Sequence, residues 1–253
     1  MRKNSTFNRS DCEKILSVNI STLTKREILK IVALRARQKK RTVIFTPNPQ
    51  ILLSAQKSSE AELLNFADVN IPDGIGIVIA SKMRGGKIKS RISGIDLAES
   101  ILSLAQKMGY SVFLLGAAKG VAKKAKRGLK TRYPRLNICG AYHGYFKKSG
   151  EENEKTVKAI SKKRPDIILV CMGYPVQEKW IVENAPSLPS VKIFIGLGGS
   201  LDVWSGNKKR APAPFRLLGL EWLYRTIKEP RRAKIFLDIP RFLFKVLKRN
   251  SLQ

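Results

Sequence analysis

Asp73-Gly74 stands where a short apolar run, Val69-Asn-Ile71, gives way to Ile75-Gly-Ile-Val-Ile-Ala, and a carboxylate at such a turn has two readings. As an N-cap it accepts a helix N–H and favours the positive end of the helix dipole, which is the commoner use. As a general base at the mouth of a sheet it takes a proton from a substrate, a role that tight capping weakens. Thr46-Pro47-Asn48-Pro49 reads as a strand-to-helix turn with Pro49 in the first helical turn, and it sets Thr46 and Asn48 on the same rim. Arg91 in Arg91-Ile-Ser-Gly94 reads first as a solvated loop arginine. Gln177-Glu178 falls in the first turn of a helix, where Glu complements the dipole and Gln can also exchange hydrogen bonds with sugar hydroxyls.

The glycine loops Gly116-x-x-x-Gly120 and Gly196-x-Gly198-Gly199 are of the type that approaches phosphates, but neither completes a Walker A or dinucleotide fingerprint. A dehydrogenase is therefore not supported, and no cofactor is expected. From Gly198-Gly199 the chain runs through Arg210 and Glu221-Trp-Leu-Tyr-Arg225 to Glu229-Pro-Arg231-Arg232. That stretch joins a phosphate-type turn to arginines beside tryptophan and apolar residues, which suggests an anionic substrate held near a membrane surface.

Absences narrow the chemistry. No Asp-x-Asp occurs, so the carboxylate pair with which many nucleotide-sugar enzymes hold a divalent metal is missing and no metal is expected. Leaving-group charge then falls to arginines or helix ends. The single histidine, His143 in Ala141-Tyr-His-Gly-Tyr-Phe146, reads as a strand-end residue, which nearly excludes a Ser-His-Asp triad or a multi-histidine metal centre. Cys12, Cys139 and Cys171 are odd in number and widely spaced, so neither a disulfide framework nor a metal knuckle is indicated and a reducing, cytosolic compartment is expected. No apolar run reaches the roughly 18 residues of a membrane span, and no apolar stretch of a signal peptide follows the basic N-terminus.

Lys+Arg 49 against Asp+Glu 19 leaves a net charge of +30, which calls for a polyanionic partner. Asn207 to Gln253 holds thirteen of those cations and three carboxylates, 13 − 3 = +10. A nucleic-acid-binding module is the rival class, and it calls for exposed aromatics interleaved with cations on a stacking platform. The C-terminal aromatics fall instead at amphipathic helical spacing, which favours an anionic lipid surface.

The elements that must position these residues follow from patterning. Thr42–Thr46, Ser111–Leu115, Asp166–Met172 and Val191–Ile195 are short continuous apolar runs without polar alternation, as in strands buried on both faces of a parallel sheet. Between and before them, Thr24 to Gln38 (opened by the capping box Thr24-x-x-Glu27), Ser59 to Ala67, Gly94 to Met108, Gly120 to Arg132 and Glu151 to Lys163 carry helical period. Alternation of the two predicts an α/β fold with a doubly wound, Rossmann-like, mostly parallel sheet. Ligands then bind at the carboxyl ends of the strands, where the glycine loops lie. The expected organisation is a core over 1–206 and a basic amphipathic appendage over 207–253, with two or three helices interrupted by Pro230 and Pro240.

Taken together, Thr46-Pro-Asn48, Pro72-Asp73-Gly74, Arg91-Ile-Ser-Gly94, Val112-Phe-Leu-Leu-Gly116, Tyr133-Pro134, Gly173-Tyr-Pro175-x-Gln177-Glu178, Gly198-Gly199-x-x-Asp202, Lys209-Arg210-Ala-Pro212 and Glu221-Trp-Leu-Tyr-Arg225 resemble the WecG/TagA/CpsF glycosyltransferase family. The match in order and spacing spans roughly residues 15 to 235. The resemblance implies an inverting, metal-independent hexosyltransferase, peripheral on the cytoplasmic face of a bacterial plasma membrane. It moves N-acetylmannosamine or its uronic acid from a UDP donor to a polyprenyl-diphosphate-linked N-acetylglucosamine, in cell-surface polysaccharide or teichoic acid synthesis. Its implied partners are that donor, that acceptor and an anionic membrane surface; no nucleic acid is expected, and self-association is left open. By the same resemblance Asp73 is the base that deprotonates the acceptor. Thr46, Asn48, Arg91 and Gln177 line the pocket around the sugars, with Gly198 and Gly199 on the rim. Arg225, Arg231 and Arg232 close over the site and meet diphosphate charge.

Overall fold

A computed structural model of the chain describes residues 6–56, 58–229, 233 and 235–248, which fall into two compact units. The first unit gathers Ile28–Phe45 and Ile95–Lys209; the second gathers Phe7–Glu27, Thr46–Gly94 and the described residues from Arg210 onward. Among the described residues the chain passes between the units at 6/7, 27/28, 45/46, 94/95 and 209/210, and from Arg210 the C-terminal segment groups with residues 46–94.

In the first unit β3 (Thr42–Phe45), β8 (Ile193–Gly196), β7 (Ile167–Cys171), β5 (Ser111–Gly116) and β6 (Asn137–Tyr142) lie in that order, all parallel. The apolar runs form these strands because both faces are covered: every residue of β3, β7 and β8 is buried. β6 is an edge strand, more exposed and more polar, and its run was too mixed to read as a buried strand. The helices α5 (Gly94–Met108), α6 (Val121–Arg132), α7 (Gly150–Lys163), α8 (Val176–Asn184) and α9 (Ser200–Trp204) connect the strands. From β5 the chain moves to β6 on one side, and from β7 to β8 on the other. The carboxyl ends of β5 and β7 therefore flank the point where the winding reverses, which is where open α/β sheets hold ligands.

The second unit begins with an antiparallel hairpin, β1 (Cys12–Ile15) and β2 (Val18–Ser21), turned at Leu16 in a left-handed conformation (φ 55°). No Asn-Gly or Asp-Gly announces that turn, so the sequence reading did not contain it. Thr24 and Glu27 then form the expected capping box of α1 (Lys25–Arg37): Thr24 N donates to Glu27 Oε2 at 2.8 Å and Glu27 N to Thr24 Oγ1 at 3.3 Å. α2 (Pro49–Ser54), α3 (Ser58–Asn65), the short β4 (Val69–Asn70) and α4 (Ile75–Met83) follow, and α10 (Ala213–Leu217), α11 (Glu221–Lys228) and α12 (Ile235–Lys248) complete the unit.

α12 packs on α2 and α4, with Phe242 and Val246 buried and Gln50 Nε2 donating to Asp238 Oδ2 at 2.7 Å. Burying a Phe side chain is worth about 1.5–3 kcal/mol, so α12 is part of this core. Pro240 lies inside α12 instead of interrupting it. It is exposed, so water can satisfy the carbonyl that its missing N–H leaves unpaired. Pro230 lies outside the described residues. Among the described residues no helix is long and apolar enough to cross a membrane.

Candidate active site

Three loops of the second unit converge on Asp73. Asp73 N donates to the Pro47 carbonyl at 3.2 Å and to the Ile71 carbonyl at 2.9 Å, and Ile92 N donates to the Pro72 carbonyl at 3.0 Å. The turns 46–49, 71–74 and 91–94 are thereby fixed together by backbone bonds, independently of most side chains. The carboxylate accepts from Gly94 N at 3.1 Å through Oδ2. Gly74, not Asp73, is the N-cap of α4, so the simple capping alternative for Asp73 does not describe this turn. Gly94 is closely packed: a Cβ there would lie 3.0 Å from Thr46 Cγ2 and 3.2 Å from Asp73 Oδ2, so either neighbour would have to give way. Thr46 and the carboxylate thus both lie against Gly94. Asn48 caps α2, with Oδ1 accepting from Ile51 N at 3.0 Å, and its Cβ sits beside Gly74.

Arg91 is not a solvated loop residue. Its Nη1 donates to Glu221 Oε2 at 3.1 Å and its Nη2 to the Arg216 carbonyl at 3.1 Å. The same Glu221, buried at the start of α11, has Arg210 Nε at 3.6 Å and Arg225 Nη2 at 3.7 Å from Oε1. Burial pushes the Asp73 carboxyl up from 3.8 to about 6, and Glu221 adds to the rise. The Gly94 N–H and the charges of Arg91 and Arg225 hold it from going higher. A half-buried carboxyl titrating just below neutrality, with one hydrogen bond and cations nearby, is suited to accept a proton. Arg231 and Arg232 lie outside the described residues. Sequence reasoning passed over Glu221 as a site residue. Its signal was the Glu221-x-x-x-Arg225 spacing, which is easily taken for an ordinary surface pair.

In the first unit the rim is built around Gln177. This side chain is buried; its Oε1 accepts from Gly198 N at 2.9 Å and Gly173 N at 3.2 Å, and its Nε2 donates to Glu178 Oε1 at 2.8 Å. One amide thus clamps the loops that leave β7 and β8, so Gln177 shapes the rim with bonds spent inside the protein. Glu178 is buried, its Oε2 accepts no hydrogen bond among the described residues, and burial pushes its carboxyl above the usual carboxylate range. Gly199 is the N-cap of α9, and its carbonyl accepts from Asp202 N at 3.2 Å. At the winding reversal Gly116 (φ 135°) passes the Cys171 carbonyl so closely that a Cβ would lie 2.2 Å from that oxygen. Only glycine fits there. His143 follows the end of β6, stacked on Tyr142, with Nδ1 accepting from Tyr145 N at 3.2 Å. Burial pushes the Cys171 thiol up to about 12, leaving it an apolar core group. Among the described residues no three His, Cys, Asp or Glu side chains gather into a metal-holding group.

Parallel strands wound in both directions, with glycine-rich loops at their carboxyl ends, define a Rossmann-like α/β protein. Residues 13–253 match the model of the "Glycosyl transferase WecG/TagA/CpsF family". A Bacillus subtilis (strain 168) relative named N-acetylglucosaminyldiphosphoundecaprenol N-acetyl-beta-D-mannosaminyltransferase is 39% identical over 215 residues, covering 85% of this chain and 82% of that protein. A Staphylococcus aureus (strain MRSA252) relative of the same name is 39% identical over 206 residues, covering 81% of this chain and 79% of that protein. The chain belongs to the WecG/TagA/CpsF family and is a glycosyltransferase.

Proposed function

We propose that this enzyme transfers an N-acetylmannosaminyl group from a UDP donor to a polyprenyl-diphosphate-linked N-acetylglucosamine, by one inverting displacement without a metal ion. The relatives' names support the transferred sugar and the acceptor. The reversal of winding at Gly116 and Cys171, beside the loop clamped by Gln177 with Gly198 and Gly199, supports a nucleotide-diphosphate site on the first unit. Asp73 accepts the proton of the acceptor hydroxyl as that oxygen bonds to the anomeric carbon and the bond to UDP breaks. Thr46 and Asn48 shape the wall beside the base. Arg225 and Arg91, with Arg231 and Arg232 by motif, offset diphosphate charge.

The same reading places the enzyme at the cytoplasmic face of the membrane. Its support is the outer side of the C-terminal helices, where Leu217, Leu218, Ile227, Phe236, Leu237 and Phe244 are exposed among Lys228, Arg241, Lys245 and Lys248. α12 is apolar on two sides, one buried in the core and one bare, as in a helix lying at a lipid interface.

The observation that carries the mechanism is the Asp73 carboxyl, held by one N–H and raised to about 6. Asp73→Asn is expected to lower turnover by at least about 100-fold while leaving the far-UV circular dichroism and UDP binding unchanged. Near-normal release of UDP in the presence of the lipid-linked acceptor would remove Asp73 from the mechanism.

A further inference from the structure

Glu221 carries an unusual load for one buried carboxylate. Its residue is 7% exposed, yet it faces Arg91 Nη1 at 3.1 Å, Arg210 Nε at 3.6 Å and Arg225 Nη2 at 3.7 Å. A pair serving stability alone is best made by one bidentate arginine that fills both oxygens. Among the described residues Oε1 accepts no hydrogen bond and is attracted to two guanidinium groups beyond hydrogen-bond reach. Arg91 is pinned a second time by the Arg216 carbonyl. Among the described residues this cluster of three cations and one carboxylate carries 3 − 1 = +2.

Such a cluster should be hostile to a base, because a guanidinium paired directly with a carboxylate lowers its pKa by about 1–3 units. The geometry avoids this. Among the described residues the Asp73 carboxylate takes only the Gly94 N–H, while the guanidinium groups are drawn to Glu221. We propose that Glu221 is a positioning residue that holds Arg91 and Arg225, together with Arg210, on its own carboxylate and so diverts the charge of Arg91 and Arg225 from Asp73, which remains an effective base in a cationic site. The proposal rests on the reading of Asp73 as the base. Among the described residues the charged groups bearing on Asp73 are Arg91 on the 91–94 turn and Glu221 and Arg225 on α11, and the 46–49 turn contributes the neutral Thr46 and Asn48.

The test is the pH dependence of kcat/KM between about pH 5 and 9, with a UDP-N-acetylmannosamine donor and a short-chain diphosphate-linked N-acetylglucosamine acceptor. In the wild type the acid limb is expected near pH 6, the value to which Asp73 is raised. Glu221→Gln removes the negative charge and releases the arginines, so the limb moves down by at least about half a unit and the rate at neutral pH falls about ten-fold. Arg225→Gln removes a positive charge and moves the limb up, which decides the matter if Glu221→Gln does not fold. A limb that stays in place in whichever variants fold, or that moves up in Glu221→Gln, overturns the proposal, because a merely structural ion pair would alter thermal stability without moving the titration. Asp73→Asn in the same assay separates the two claims: if it keeps the wild-type rate and acid limb, another group titrates and the base reading itself fails.

Discussion

Each unit is organised around one buried side chain that gathers segments distant in sequence, but the two hubs are chemically opposite. Gln177 in the first unit is neutral, and its amide is matched at short range by Gly173, Gly198 and Glu178. Glu221 in the second unit is charged and under-matched, with one contact at 3.1 Å and two near 3.7 Å. A saturated amide fixes geometry and is indifferent to pH and salt. A loosely shared carboxylate holds charge in place and leaves it able to respond to a substrate, because ion pairs depend on the local field as much as on contact. The difference teaches that the rim of the sheet is built for shape, while the second unit is built for charge.

The largest expected effect would break the neutral hub. Gln177→Leu keeps approximate volume but strands two partly buried backbone N–H groups and deepens the isolation of Glu178, so unfolding by denaturant should become easier by about 2–4 kcal/mol. The loss should be nearly the same with and without added salt. A salt-sensitive loss would mean that the Gln177 hub is electrostatic after all.

The next effect sharpens the charged side and has the opposite sign. Asp73 is raised from 3.8 to about 6, so its ionisation opposes folding; the penalty is absent below about pH 4, grows through pH 6 and is complete above it. Asp73→Asn should therefore be more stable than the wild type by up to about 3 kcal/mol at pH 8, and about equal to it at pH 4. Thermal melts at the two pH values check this, and a variant destabilised at pH 8 would show that Asp73 is held chiefly by its charges. The expected result couples stability lost to activity gained at one residue.

The smallest effect on stability separates the core face of α12 from its bare face. Replacing Leu237 and Phe244 by Ser should change stability by no more than about 0.5 kcal/mol per site, since both are exposed. The same change should abolish flotation with anionic phospholipid vesicles if that surface docks on lipid. Flotation that persists would move the docking surface elsewhere. Truncation would not make this distinction, because it removes the buried Phe242 and the Glu221 cluster together with the bare face.

Much of the first unit was legible in the chain. The runs at 42–46, 111–115, 166–172 and 191–195 became β3, β5, β7 and β8 because continuous burial leaves a local trace in composition. Gly94–Met108 appears as a helix with the expected bounds. The hairpin at Cys12–Ser21 left no such trace, because Leu16 in a left-handed turn follows no common turn chemistry. Pro240 reads as a helix breaker in the chain but is tolerated inside α12 because its side of the helix faces solvent, which local sequence does not encode.

The site divides along the same line. By itself the sequence determined the strand-and-helix alternation, the motifs that place the chain in its family, and the presence of Asp73, Thr46, Asn48, Arg91 and Gln177 near element ends, since all of these rest on short-range pattern. Only the tertiary structure decided that Asp73 caps nothing on its own helix, that Arg91 reaches Glu221 across 130 positions, and that a surface-like Glu-Arg spacing conceals a buried hub. The reason is physical: periodicity and capping act within a few residues, whereas desolvation and charge sharing depend on which distant loops the fold brings together.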